Sequence, residues 1–298
     1  MGRMFDELNT SRLTPAQTVT RRAFMRSAIL AAGGMGIYAA TRGRHELEIV
    51  RRTLPIRNLP DSFQGFRIVQ LSDIHLVEWT EPWFLRRVVS EVNKLAPDLV
   101  VLTGDFISRG PRSLSVAYRA MPVCAEELSA LQCPQRFAIL GNHDVQVDSS
   151  MVLRSLAAVK IPTLVNRFTA IERGSDRIWL CGVDDPGTSV PYLAEAIPAN
   201  PGAPVILLAH EPDFADNVRR HPRFPLIDLM LSGHSHGGQI RLPWIGPLVL
   251  PPMGQRYVTG LFHFNQMQLY VNRGIGTVGL PLRLDCPPEI TEITLQRG

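Results

Sequence analysis

Seven side chains of this 298-residue sequence carry oxygen or imidazole nitrogen donors in short, spaced motifs: Asp73, His75, Asp105, Asn142, His210, His234 and His236. Carboxylate, amide and imidazole without thiolate make a borderline-hard ligand set, suited to Mn, Fe or Zn rather than to a soft-metal cage. Seven donors are too many for one tetrahedral ion. A pair of divalent metal ions roughly 3.5–4 Å apart needs a carboxylate shared between them. Side chains alternate along an extended segment, so the spacing of Asp73 and His75 predicts both on one side, and the same holds for His234 and His236.

Each motif follows a short apolar run, which is what must position it. Residues 68–71 lead into Asp73 and His75, 99–102 into Asp105, and 137–140 into Gly141-Asn142-His143-Asp144. Residues 205–209 lead into His210, 226–231 into His234 and His236, and a sixth run, 178–182, ends at Asp184-Asp185. Runs of four to six apolar residues bounded by Gly and polar groups read as buried strands. Between them, residues 82–95 repeat Phe84, Leu85, Val88, Val89, Val92 and Leu95 at helical spacing behind Pro82. Residues 149–159 and 214–220 are weaker helical patterns, and 268–271 and 289–295 alternate as closing strands. Strand–helix alternation predicts an α/β core with much of the sheet parallel or mixed. Sites in such folds form at the carboxyl ends of strands, where all five motifs fall.

D-x-H at 73–75, G-D at 104–105, G-N-H-D at 141–144, His210 and G-H-x-H at 233–236 come in the order of the calcineurin-like metallophosphoesterases. The sequence resembles that family over about residues 66–240. Residues 233–239 and 272–276 look like its exported, YkuE-like and YaeI-like branch. The resemblance implies a sandwich of mixed β-sheets flanked by helices, spanning residues 66–298. It implies one metal on Asp73, His75, Asp105 and His236, and a second on Asp105, Asn142, His210 and His234. Asp105 and a hydroxide would bridge them, and the hydroxide would attack phosphorus in a phosphodiester or pyrophosphate. His143 would face the leaving oxygen as general acid, and Asp144 either fixes its ring or is a solvated turn residue. Ser108 stands where purple acid phosphatases have tyrosine, which argues against a tyrosinate-bound ferric site. Related branches split UDP-2,3-diacylglucosamine, so the resemblance extends to lipid-linked pyrophosphates. That reaction belongs on the cytoplasmic face, and an exported enzyme would meet other lipid-linked phosphodiesters. A phosphomonoesterase or nucleotidase is the alternative, followed by a non-catalytic scaffold.

Composition limits the remaining classes. At 45% hydrophobic and 19% charged the chain is globular, and no run of apolar residues suits a multi-span membrane protein. Nine arginines against four acidic residues give residues 1–52 a net charge of +5, and the rest carries −1. The body therefore offers no electrostatic reason to bind nucleic acid. Arg21-Arg22 before an uncharged stretch at 27–40 resembles a twin-arginine signal, so residues 1–40 read as an export signal or a retained membrane anchor. That places the protein in the periplasm or cell envelope, with the twin-arginine machinery and a membrane surface as partners. Residues 41–65 read as a linker with a leading strand at 46–50.

The four cysteines have no metal-like spacing and read as buried thiols, although a Cys124–Cys133 bridge is open. Arg241, Arg256, Arg273 and Arg283 are candidate phosphate contacts, weighed against ordinary salt bridges. Asp184-Asp185 reads as a turn before Pro186, His45, His221 and His263 as structural, and Gly237 and Gly238 as room for backbone beside the metals. The apolar, Pro-rich stretch 243–253 is either a buried loop or an apolar wall for acyl chains or a bilayer.

Overall fold

The apolar runs become the central strands of two facing sheets. The computed structural model describes residues 20–76, 79–110 and 114–298. The chain divides into an amino-terminal unit ending at Ile37 and a body from Tyr38 to Gly298. The amino-terminal segment carries helix α1 (Arg21–Ala40), in which only Ala39 is buried. Phe24, Ile29, Leu30 and Ile37 are exposed. By length and composition it could cross a membrane. Residues 1–19 of the expected signal lie outside the described residues.

In chain order the first strands are β1 (Glu48–Ile56), β2 (Arg67–Leu71), β3 (Leu99–Leu102), β4 (Arg136–Ala138), β5 (Arg167–Arg173) and β6 (Asp176–Gly182). They continue as β7 (Val205–Leu208), β8 (Leu229–Ser232), β9 (Arg241–Leu242), β10 (Gly246–Pro247), β11 (Gly260–Phe264), β12 (Met267–Val271) and β13 (Glu289–Arg297). The other helices are α2 (Pro82–Leu95), α3 (Leu114–Ser129), α4 (Asn142–Ala158) and the short α5 (Leu193–Ala196) and α6 (Ala215–Val218). One sheet has the order β1-β13-β2-β3-β4 and the other β11-β12-β8-β7-β6-β5, with β9 and β10 a separate ribbon. β2, β3 and β4 are parallel, as are β12, β8, β7 and β6, while β13–β2, β5–β6 and β11–β12 are antiparallel.

Three apolar layers hold this together. Ile68, Val101, Ile206, Leu208, Leu231 and Ile293 fill the space between the sheets. Val88, Val92, Met121, Cys124, Val152 and Leu156 seal the outer face of the first sheet under α2, α3 and α4. Phe214, Val218, Met230 and Leu269 cover the outer face of the second. Each such side chain contributes about 1.5–3 kcal/mol by leaving water. Helix, sheet, sheet and helix therefore stack as the expected sandwich. Strands buried on both faces need no polar alternation, which is why β3 and β7 read as unbroken apolar runs and β2 and β8 as mostly apolar ones.

α2 has the expected bounds, opening on Pro82 and stopping at Ala96 in a left-handed conformation. The sequence reading did not anticipate α3, which contains Pro122 yet buries Ala117, Ala120, Met121, Cys124 and Leu128 at helical spacing. It also missed the outer hairpin strands β5 and β11. Residues 41–65 differ from a linker: β1 pairs with β13 through nine consecutive residues and buries Leu54 and Ile56. All four cysteines are buried free thiols.

Candidate metal centre

The motif residues leave their strands in tight turns rather than in extended chain. Asp73, His75, Asp105, His234 and His236 have φ of 51°, 48°, 57°, 67° and 52°. The donors thus converge through left-handed backbone and not, as the spacing suggested, by strand alternation. Such a conformation costs roughly 1–2 kcal/mol for a non-glycine residue, and hydrogen bonds between the turns offset it. The amides of Asp73 and His75 donate to the carbonyls of Gly104 and Asp105, each at 3.0 Å. The His234 amide donates to both carboxylate oxygens of Asp73 at 3.0 Å. A Cβ at Gly233 would collide with Ser72 Oγ and Asp73 Oδ2, so only glycine fits where β8 meets the β2 turn.

Imidazole tautomers follow from the partners of each ring. His210 Nδ1–H donates to the Thr103 carbonyl at 2.7 Å, which leaves Nε2 facing Asp105 Oδ2 at 3.2 Å. His234 reverses this. Its Nε2–H donates to the Pro252 carbonyl at 2.8 Å, so Nδ1 is its free donor atom. His75 Nδ1 meets Ser108 Oγ at 2.7 Å, and its Nε2 stands 3.5 Å from Asp105 Oδ2 and 3.1 Å from His236 Nε2. His236 Nε2 is 3.4 Å from Asp73 Oδ1. Fixing one ring nitrogen so that the other faces a cation is how proteins orient metal-ligating histidines.

Ligand atoms of Asp73, His75 and His236 lie within 4.8 Å of one another, as do those of Asp105, His210 and His234, and those of His75, Asp105 and His143. Asp105 belongs to two of these sets, the position a shared carboxylate would need. Buried Asn142 Oδ1 has no hydrogen-bond partner. An orphaned buried acceptor costs about 1–3 kcal/mol, and a cation would satisfy it. Burial pushes His75 down to about 3 and His234 to about 4, and holds His236 well below its usual value. All three rings are therefore neutral, the form that ligates. Burial raises Asp73 to about 6. Burial opposes charge on the His210–Asp105 pair, but their mutual attraction wins, raising His210 and lowering Asp105. The geometry and donor set fit divalent cations.

Asp144 departs from expectation. It is buried, and its carboxylate accepts the amides of Asp105 at 2.8 Å, Gly141 at 3.0 Å and Phe106 at 3.0 Å instead of touching the His143 ring. It clamps the β3 turn to the β4 turn, and is neither a ring-fixing residue nor a solvated one. His143 Nδ1 accepts the Arg109 amide at 2.9 Å, so the ring's proton sits on Nε2.

None of the four arginines lines the cavity at this site. Buried Arg283 donates to the carbonyls of Gly276, Cys286, Arg273 and Gly274. Arg273 pairs with Glu289 and Glu48, Arg256 with Asp216, and Arg241 donates to the Gly237 carbonyl. Asp185 accepts from Thr188 in the expected turn. Gly238, at φ 82°, lets Pro247 approach closely.

The centre opens into a cavity of about 710 Å³. Asp105, Asn142, His143, His234 and His236 line it together with Leu248, Val249, Pro251, Pro252, Met253 and Leu280. The stretch 243–253 is thus an apolar wall and not a buried loop. Sequence reading missed Glu211, which also lines the cavity, a buried carboxyl that burial pushes to about 8 and whose Oε2 has no partner. Its place directly after His210 was the only available signal.

Residues 66–238 match the family described as calcineurin-like phosphoesterase. The metallophosphoesterase YkuE of Bacillus subtilis (strain 168) is 34% identical, covering 93% of this chain and 98% of its own. Phosphodiesterase YaeI of Escherichia coli (strain K12) is 32% identical, covering 83% of this chain and 88% of its own. UDP-2,3-diacylglucosamine pyrophosphatase LpxG of Chlamydia trachomatis serovar D is 29% identical, with 82% and 89% covered. With the family pattern over more than half of its length and such relatives aligned nearly end to end, the chain belongs to the calcineurin-like phosphoesterases, hydrolases that act on phosphoester bonds through divalent metals.

Proposed function

We propose that the chain hydrolyses a phosphodiester or pyrophosphate bond in a lipid-linked substrate, using two divalent ions. Asp73, His75, Asp105 and His236 would hold one, and Asp105, Asn142, His210 and His234 the other. Bound there, the ions would neutralise phosphoryl oxygens and lower the pKa of a water near phosphorus. The observation that carries this reading is one cavity lined both by convergent metal-type donors and by the apolar residues of 248–253. His143, with its proton on Nε2, would donate to the departing oxygen. Leu248, Val249 and Leu280 would take up acyl chain. The name of LpxG, a UDP-2,3-diacylglucosamine pyrophosphatase, supports a substrate of that kind. In the same reading residues 1–40 are a twin-arginine signal whose helix α1 remains as an anchor in the cell envelope.

A substrate panel on protein reconstituted separately with Mn, Fe and Zn tests this. It should contain a lipid-linked pyrophosphate, a chromogenic diester, a monoester and a nucleotide. The expected outcome is turnover of the first two well above the others. Faster monoester or nucleotide turnover would make the protein a phosphomonoesterase or nucleotidase. Two bound ions with no ester hydrolysed would make it a scaffold.

A further inference from the structure

We propose that the β9–β10 hairpin and the loop at 278–282 form a face that docks on a lipid bilayer and opens the cavity toward it. Residues 242–253 contain no charged side chain and, apart from the Trp244 indole, no hydrogen-bonding one, and 278–282 contain neither. Trp244 at the hairpin tip is wholly exposed, with Ile245 70% and Val249 77% exposed, and Leu248 and Leu280 are more than half exposed. Leu248, Val249 and Leu280 also line the cavity, so the exposed face and the apolar wall are continuous.

This hairpin is held firmly. The Leu248 amide donates to the Ile240 carbonyl at 3.0 Å, the Arg241 amide to the Leu284 carbonyl at 2.9 Å, and the Arg241 guanidinium to the Gly237 carbonyl at 2.9 Å. Gln239 ties the two loops together through the carbonyls of Val278 and Leu280. A rigid, uncharged projection tipped with Trp suits the bilayer interface, where an indole keeps its ring in apolar surroundings and its N–H near water.

What commits the occupant to a bilayer is the point at which the chain joins the body. The Arg283 amide donates to the Ala39 carbonyl at 3.0 Å, and Gly43 lies against the Arg283 carbonyl. Residues 38–43 therefore attach three residues from Leu280, and they include the carboxyl end of a helix apolar enough to cross a membrane. A chain tethered at that point holds this face close to lipid. The inference rests on the proposed function for its purpose, bringing lipid-linked substrate to the metal centre, but its test does not need hydrolysis.

The four native cysteines are buried, so a polarity-sensitive thiol probe labels Trp244→Cys selectively in the full chain. Tyr192→Cys, also exposed, is the control. In proteoliposomes of phosphatidylethanolamine and phosphatidylglycerol, the probe at 244 should shift to the blue and be quenched by spin-labelled lipid, and that at 192 should not. A probe at 244 that stays as wet as that at 192 overturns the proposal. So does a blue shift that needs no lipid and grows with protein concentration, which would make the occupant a second copy. In parallel, Trp244→Ser with Ile245→Ser should lower kcat/KM on a vesicle-borne diester about tenfold and spare a water-soluble one. An inactive wild type alongside a lipid-quenched probe would remove the hydrolase reading and leave the docking face standing.

Discussion

Replacing Asp144 with asparagine separates a clamp from a catalytic partner. Oδ2 accepts the amides of Asp105 and Gly141 at 2.8 and 3.0 Å, and Oδ1 that of Phe106 at 3.0 Å. Asparagine keeps the shape but turns an NH2 group toward one of these sets, so one or two buried amides lose their acceptor. Each orphan costs about 1–3 kcal/mol, which gives Asp144→Asn a loss of about 1–6 kcal/mol. For a domain of this size that is a fall in Tm of about 2–4 °C per kcal/mol. Asp105 is the carboxylate in two of the ligand sets, and moving its turn should weaken metal binding about 10–100-fold. Thermal melts of chelated protein and calorimetric titration with Mn measure the two effects. Both should persist in a His143→Ala background, because Asp144 makes no bond to that ring. An Asp144→Asn protein with the wild-type melt and metal affinity, or with losses that disappear once His143 is gone, would refute the reasoning.

Other outcomes follow from the same geometry. His143→Ala should keep both ions and lose most activity on esters with poor leaving groups and less on good ones; loss of metal content would contradict its role. Gly233→Ala drives a methyl into Ser72 Oγ and Asp73 Oδ2, so metal analysis should find fewer ions per folded chain, and full occupancy would show that the turn can yield. Leu248→Ser should slow a lipid-linked substrate much more than a small chromogenic diester, and equal losses would remove the apolar wall from substrate binding. Arg283→Met strands several buried carbonyls and should cost about 3 kcal/mol or more without changing KM. A raised KM at an unchanged Tm would restore Arg283 as a substrate contact.

Much of the site was legible in the chain because its motifs terminate strands that the sandwich buries on both faces. Leu99, Val100, Val101 and Leu102 lie between a sheet and a helical layer, so their run carries no polar residue and ends abruptly at Asp105. Outer hairpin strands leave no such trace: β5 mixes Arg167, Thr169 and Glu172 with Phe168 and Ile171 because one side meets water. α3 was hidden by Pro122 and by small residues whose burial depends on partners far away in sequence.

Sequence by itself determined the identity and order of the donors, the family, the neutral body and the apolar character of 243–253. Tertiary structure decided what those groups do. Asp144 became a clamp because four backbone N–H groups from two turns point at it, and Arg283 a buried brace because backbone carbonyls surround its guanidinium. A side chain's chemistry is set by its type, but its role depends on which donors and acceptors other strands bring within about 3 Å of it, and local spacing holds no record of those.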